Sequence, residues 1–210
     1  MSSPVQASHP NLGSLPDVVE GLARRLRLGR LESRHNSRLI IGLYVMLNSA
    51  LTIGLLAVVA VLTQEPFLFP SLGPTAFILF FSALSAQACP RNVFCGQLIA
   101  VVAGILALAM FGLLTLPPDI DSLTWSRVGA ILVAMCLTFP VMIWLGVPHA
   151  PAGATTLIVA CGVMNTPRQG LILMVAVVVL LAEAMIINRL AGLPYPWWSP
   201  VKNAPPPVPE

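Results

Sequence analysis

Charge is scarce in this chain of 210 residues. Only 9% are Asp, Glu, Lys or Arg, against about 25% in an ordinary soluble domain. With 57% hydrophobic residues and a mean hydropathy of +0.86, that shortage excludes a soluble enzyme with a large core and implies a polytopic membrane protein. Glu183 is the one acid well inside a hydrophobic stretch. Cysteine is thin as well. Cys89, Cys95, Cys136 and Cys161 show neither paired metal spacing nor a secreted disulfide pattern, so they read as small core residues. No nucleophile stands at a recognisable spacing from a base, and no phosphate-cradling loop occurs. Intramembrane catalysis therefore ranks last, and the expectation is a non-enzyme without metal or cofactor.

What charge there is lies mostly at the beginning. Arg24, Arg25, Arg27, Arg30, Arg34 and Arg38 precede the first hydrophobic span, which places the N-terminus in the cytoplasm. Val18, Val19, Leu22 and Leu26 can share a helix face opposite those arginines. Residues 1–38 therefore read as a basic amphipathic arm on anionic lipid, after a polar stretch expected to be disordered. The run is too long and too basic for a cleaved secretory signal. Asp17, Glu20 and Glu32 argue against a transit peptide, and the absence of interleaved aromatics argues against nucleic acid. The expected location is a bacterial inner membrane; self-association stays open.

Beyond the arm, the chain repeats itself. Residues 39–115 form a first membrane half, 116–126 a connecting loop, 127–192 a second half and 193–210 a proline-rich tail. In each half a Gly-x-Thr motif opens a short apolar segment: Gly73-Pro74-Thr75 and Gly153-Ala154-Thr155. Pro90-Arg91 and Pro167-Arg168 then close the segments, and a long span follows each. The spacing predicts an all-α membrane protein of two three-segment repeats, each with a broken or re-entrant short helix. If the short segments cross, each half has three crossings and the halves are inverted; if they are re-entrant, there are four spans and parallel halves. Six segments is the favoured reading, with a helix expected over 74–89.

Matched breaks at corresponding places point to a transporter's substrate site, with duplicated packing elements as the alternative. Helix N-termini carry free N–H groups and partial positive charge, and glycine admits close approach. Ser71, Gly73, Thr75, Gly153, Thr155 and Thr156 are thus the candidate substrate-binding residues, suited to a small anion or neutral polar solute. The same threonines can instead cap or back-bond their helices. His149 joins the candidates as the one histidine near the membrane core, able to bind substrate, carry a proton or cap its loop. Glu183 is a candidate for proton coupling, or a structural partner of a nearby Arg or Asn. Arg91 and Arg168 occupy matching positions at the two mouths.

Phe69-Pro70-Ser71-Leu72-Gly73-Pro74-Thr75-Ala76, Pro90-Arg91-Asn92 and His149-Ala150-Pro151-Ala152-Gly153-Ala154-Thr155 together resemble the HPP family, from about Arg38 to Ala191. Members are small integral membrane proteins, usually described with four transmembrane helices, and some plant and cyanobacterial ones are associated with nitrite transport in plastids. The resemblance implies a small-anion transporter or channel, nitrite-like in substrate. The family's name motif is His-Pro-Pro, whereas this chain has His149-Ala150-Pro151, which leaves the backbone at Ala150 less fixed. The competing reading is a non-transporting membrane subunit or sensor.

Overall fold

Residues 37–118 and 123–200 are described by a computed structural model, in which they form six α-helices and one 3-10 turn. The amphipathic arm expected over 17–34 lies outside the described residues, as does the end of the proline-rich tail. Four helices are long and apolar enough to cross a bilayer: α1 (Ser37–Thr63), α3 (Pro90–Met110), α4 (Trp125–Trp144) and α6 (Pro167–Leu190). Two are short: α2 (Leu72–Phe81) and α5 (Ala152–Ala160). The chain is an all-helical integral membrane protein over the described residues.

Helix ends depart from the sequence expectation in one consistent way. The helix expected over 74–89 stops at Phe81 after 10 residues, a rise of about 15 Å. Ser82 leaves the helical region (φ −125°, ψ 46°), and Ser85 caps a 3-10 turn at Ala86–Ala88 through its side chain. Serines of this kind offer the backbone local alternatives to helix. Pro90 and Pro167 do not close the short segments; they open α3 and α6. A proline at the first helical position has the right φ, and the N–H it lacks would be unpaired there anyway. At α6 the start is reinforced by a capping box between Thr166 and Gln169. Pro140 lies inside α4 and removes the donor that Cys136 would otherwise receive, yet the helix continues to Trp144.

The helices pack as two groups. α1 lies against α2 and α6, and α2 also against α6; α3 lies against α4 and α5, which touch each other. Contact between α3 and α6 joins the groups. Each group thus takes two consecutive helices from one half of the chain and the third helix of the other half. The small-residue face of α3 is buried: Gly96, Ala100, Ala103, Gly104 and Ala107. A Cβ on Gly104 would stand 2.5 Å from Val159 of α5, so glycine sets the approach of these two helices. On α1, Leu47, Val58, Val61 and Leu62 point outward, an apolar surface suited to lipid.

Polar contacts show which ends meet. Tyr44 near the start of α1 donates to Asn188 Oδ1 (2.8 Å) near the end of α6, and Asn188 Nδ2 donates to the carbonyl of Leu79 (3.0 Å) near the end of α2. At the opposite end of α1, Arg168 pairs with Glu65. Arg91, at the start of α3, donates to the carbonyl of Gly146 (2.8 Å) after α4. Arg127, in the first turn of α4, is buried (1% exposed) and donates to the carbonyls of Ala160 (3.4 Å) and Pro117 (3.0 Å). The carbonyl end of α5 carries partial negative charge, which gives a buried guanidinium a partner there.

Candidate functional site

The two Gly-x-Thr motifs are joined by one side chain, Gln97 of α3. Its Nε2 donates to Thr75 Oγ1 of α2 (3.3 Å), and its Oε1 accepts from the Thr155 hydroxyl of α5. All three residues have no solvent exposure, and His149, which precedes α5, is 1% exposed. Thr75 supplies the first group of helices; Gln97, Thr155 and His149 supply the second. The polar cluster therefore sits where the two helix groups face each other.

The hydrogen bonds fix most of the protons. A carbonyl can only accept, so His149 Nδ1 carries the proton it donates to Gln87 O (2.9 Å). Thr155 orients the Gln97 carboxamide, leaving its NH2 aimed at Thr75 and at His149 Nε2, 3.5 Å away. Thr75 Oγ1 lies 3.2 Å from the same Nε2 and 2.8 Å from the carbonyl of Ser71. Its one proton serves one of those two acceptors at a time. The histidine ring and the threonine hydroxyl are thus coupled through a single rotor.

Local sequence explains how the ring reaches this place. Gly96 stands beside it, and a Cβ there would lie 2.8 Å from His149 Cβ, so only glycine lets the histidine lie against α3. Gln87 holds the turn from the other side. Besides receiving the ring proton, it accepts the backbone N–H of Ala150 at Oε1 (3.1 Å). A proline at 150 has no N–H to give. The departure from His-Pro-Pro, expected to loosen the backbone, is therefore compensated by a side-chain bond that the departure makes available.

The other sequence candidates do not enter the cluster. Ser71 is fully buried and its hydroxyl has no hydrogen-bond partner. Gly73 is exposed, and nothing lies within 4 Å of where its Cβ would be, whereas Gly153 is buried with the Phe139 ring 3.2 Å from that point. Thr156 pairs with Thr138 of α4 (2.9 Å) and back-bonds to Ala152 (3.0 Å), which makes it part of the α4–α5 seam. Glu183 lies on α6, near Thr52 of α1. The first amides of α5 are also spoken for: those of Ala152, Gly153 and Ala154 donate to the carbonyls of His149, Ala150 and Pro151 (3.0–3.1 Å). Hydroxyls, carboxamide and imidazole, more than bare helix N–H groups, are what this site offers.

A family model described as HPP, transmembrane region, matches residues 34–196. The chain belongs to the HPP family. No curated protein and no solved structure matches it. The match takes in all six helices, so the cluster of Thr75, Gln97, His149 and Thr155 lies wholly within the HPP transmembrane region. Gln87 and Gln97 were passed over in the sequence. Gln97 was nevertheless detectable, because an amide inside an otherwise apolar span needs an internal partner. Gln87 was not, since nothing in its loop marks it.

The last described segment closes one end of this HPP protein. Trp198 accepts at its carbonyl from the Arg91 N–H (3.0 Å) and the Cys89 thiol (2.8 Å), and Tyr195 donates to Ala88 O. Burial pushes the Cys89 thiol and the Tyr195 phenol up, so both stay protonated donors at neutral pH.

Proposed function

We propose that this HPP protein is a transporter or channel for a small monovalent anion such as nitrite, with its binding site at the Thr75–Gln97–His149–Thr155 crossing. The observation that carries the reading is Gln97, which links the two broken-helix motifs across the boundary between helix groups. A buried site with hydroxyl and carboxamide donors, an imidazole Nε2 that accepts, and no carboxylate favours a weakly hydrated anion or its neutral acid over a metal cation.

In this reading the halves are inverted repeats that have exchanged their third helices. The pairing of α1, α2 and α6 against that of α4, α5 and α3 supports it, because an exchange of halves converts one set into the other. The two Pro-Arg motifs support it too. Arg168 pairs with Glu65 before α2, and Arg91 with Gly146 before α5, so each motif secures the loop leading into the other half's short helix. Rocking of one group against the other around a fixed central site is the motion such symmetry serves. The membrane is a bacterial inner membrane, with the arginine arm on anionic lipid at the cytoplasmic face.

Purified protein in liposomes, assayed for nitrite, nitrate and formate flux, tests this. Flux that falls at least tenfold in Gln97→Leu and Thr155→Val supports the proposal. A folded protein that moves none of the three, with or without a pH gradient, identifies a membrane subunit or sensor instead.

A further inference from the structure

A second polar site lies away from the Gln97 cluster, between α1 and α6. Ser49 Oγ, Thr52 Oγ1 and Glu183 Oε2 are each buried atoms without a hydrogen-bond partner. Thr52 is fully buried and faces the Glu183 carboxyl, close enough to interact but outside hydrogen-bonding geometry. Ser49 stands one helical turn away on α1. Buried polar groups in a protein interior are nearly always paired, and a carboxyl oxygen that no N–H or cation reaches costs most when it is charged, which favours the neutral, protonated form of Glu183.

We propose that Glu183, with the hydroxyls of Thr52 and Ser49, is a proton-binding site in the α1–α6 seam. One carboxyl and two hydroxyls fall short of the six or so oxygens that a hard cation takes, whereas a proton needs one oxygen and one neighbour to orient it. Other titratable groups on the packed elements lie elsewhere: Arg38 is at the start of α1, and Arg168 at the start of α6 pairs with Glu65. Tyr44 of α1 donates to Asn188, and Arg189 of α6 donates to Tyr195 O with its guanidinium 3.5 Å over the Trp197 ring. α2, which also packs on α6, brings no titratable side chain; from α3, Arg91 is bonded to Gly146 and Cys95 lies at the same end of that helix. In the transporter reading, on which only this step rests, the proton at Glu183 is the coupling ion for movement at the Gln97 site.

Carbodiimide labelling of the intact protein in detergent tests the site without any flux. Dicyclohexylcarbodiimide adds to a protonated carboxyl in apolar surroundings, and peptide mass spectrometry reads the adduct. The expected result is labelling at Glu183 that declines as pH rises. In Thr52→Val the midpoint should rise, because the carboxylate loses a polar neighbour across the seam. Sodium at 100 mM or so should leave labelling unchanged; protection by sodium would make the occupant a metal cation and overturn the proposal. Absence of label at every pH, or a midpoint unmoved in Thr52→Val, would overturn it as well. Coupling is read separately in liposomes, where Glu183→Gln should keep solute exchange and lose at least tenfold of the acceleration by an acid gradient. Wild-type protein without flux sinks the transporter reading and leaves the labelling result intact; a variant that keeps its gradient response sinks the coupling step.

Discussion

Replacing Gln97 with leucine removes the single side chain that bridges Thr75 and Thr155, at nearly constant volume. Three hydrogen bonds disappear: Nε2 to Thr75, the longer one from Nε2 to His149 Nε2, and the Thr155 hydroxyl to Oε1. In membrane proteins each is worth about 0.6 kcal/mol on average and up to about 1.7. Part of that loss is recoverable. Thr75 keeps its bond to Ser71 O, His149 keeps Gln87 O, and Thr155 can turn to the carbonyl of Pro151, one helical turn back, as Thr156 does with Ala152. The net cost is therefore about 1 kcal/mol, or roughly 2–4 °C in melting temperature for a chain of this size. Fluorescence-detected size-exclusion after a heat ramp measures it. Crossing Gln97→Leu with Thr155→Val should give a double-mutant coupling of about 0.5 kcal/mol or more, since both variants delete the same bond. Flux in Gln97→Leu should nevertheless fall at least tenfold. Two results refute the reasoning: full flux in Gln97→Leu, which would make the cluster packing glue, or a melting loss above 10 °C or so, which would make it part of the fold's foundation.

Ala150→Pro should be close to neutral in stability, because proline fixes the turn while removing the N–H that Gln87 accepts. In that background Gln87→Ala should cost less than it does in the parent chain, and two melting curves in each background check it. Gly104→Ala should destabilise by about 1–3 kcal/mol, since Val159 of α5 lies 2.5 Å from the added methyl, whereas Gly54→Ala on α1 should not, with nothing within 4 Å. Alkylation at pH 8 should leave buried Cys89 unmodified. Burial holds the Cys89 thiol above its usual range, so its reaction should rise only at higher pH; intact-mass time courses at pH 8 and 9.5 measure it.

The four long helices were legible because each is a hydrophobic run of bilayer length, a signal that local chemistry cannot disguise. Their boundaries were less so. Pro90 and Pro167 were read as ending segments when they begin helices, and the two roles look alike in sequence until a capping residue such as Thr166 is recognised. The site was half legible. Thr75 and Thr155 were singled out by the repeated motif and His149 as the one histidine near the membrane core, and the structure brings the three together. Gly73 and Gly153 were singled out by the same motif, but one faces outward and the other meets a phenylalanine ring. Gln97 escaped because no local pattern marks it. Its importance comes from lying between motifs that are 80 residues apart, and that is a tertiary fact. Arg127 escaped for the same reason: one carbonyl it serves, that of Ala160, belongs to a helix terminus 33 residues on.

The shared third helices have a consequence for how the chain is made. α1 and α2 leave the ribosome first, yet the helix that covers them, α6, leaves last. Until it arrives, the Tyr44 hydroxyl and the Leu79 carbonyl have no α6 partner in the bilayer, while α3, α4 and α5 can already assemble among themselves. The nascent protein therefore passes through an intermediate in which its second group is built and its first is an open pair. Such a pair can accept α6 from a neighbouring copy as readily as from its own chain. Truncation before Pro167 should leave a membrane-inserted species that quality-control proteases recognise by that uncovered seam. A separately expressed α6 segment should restore it.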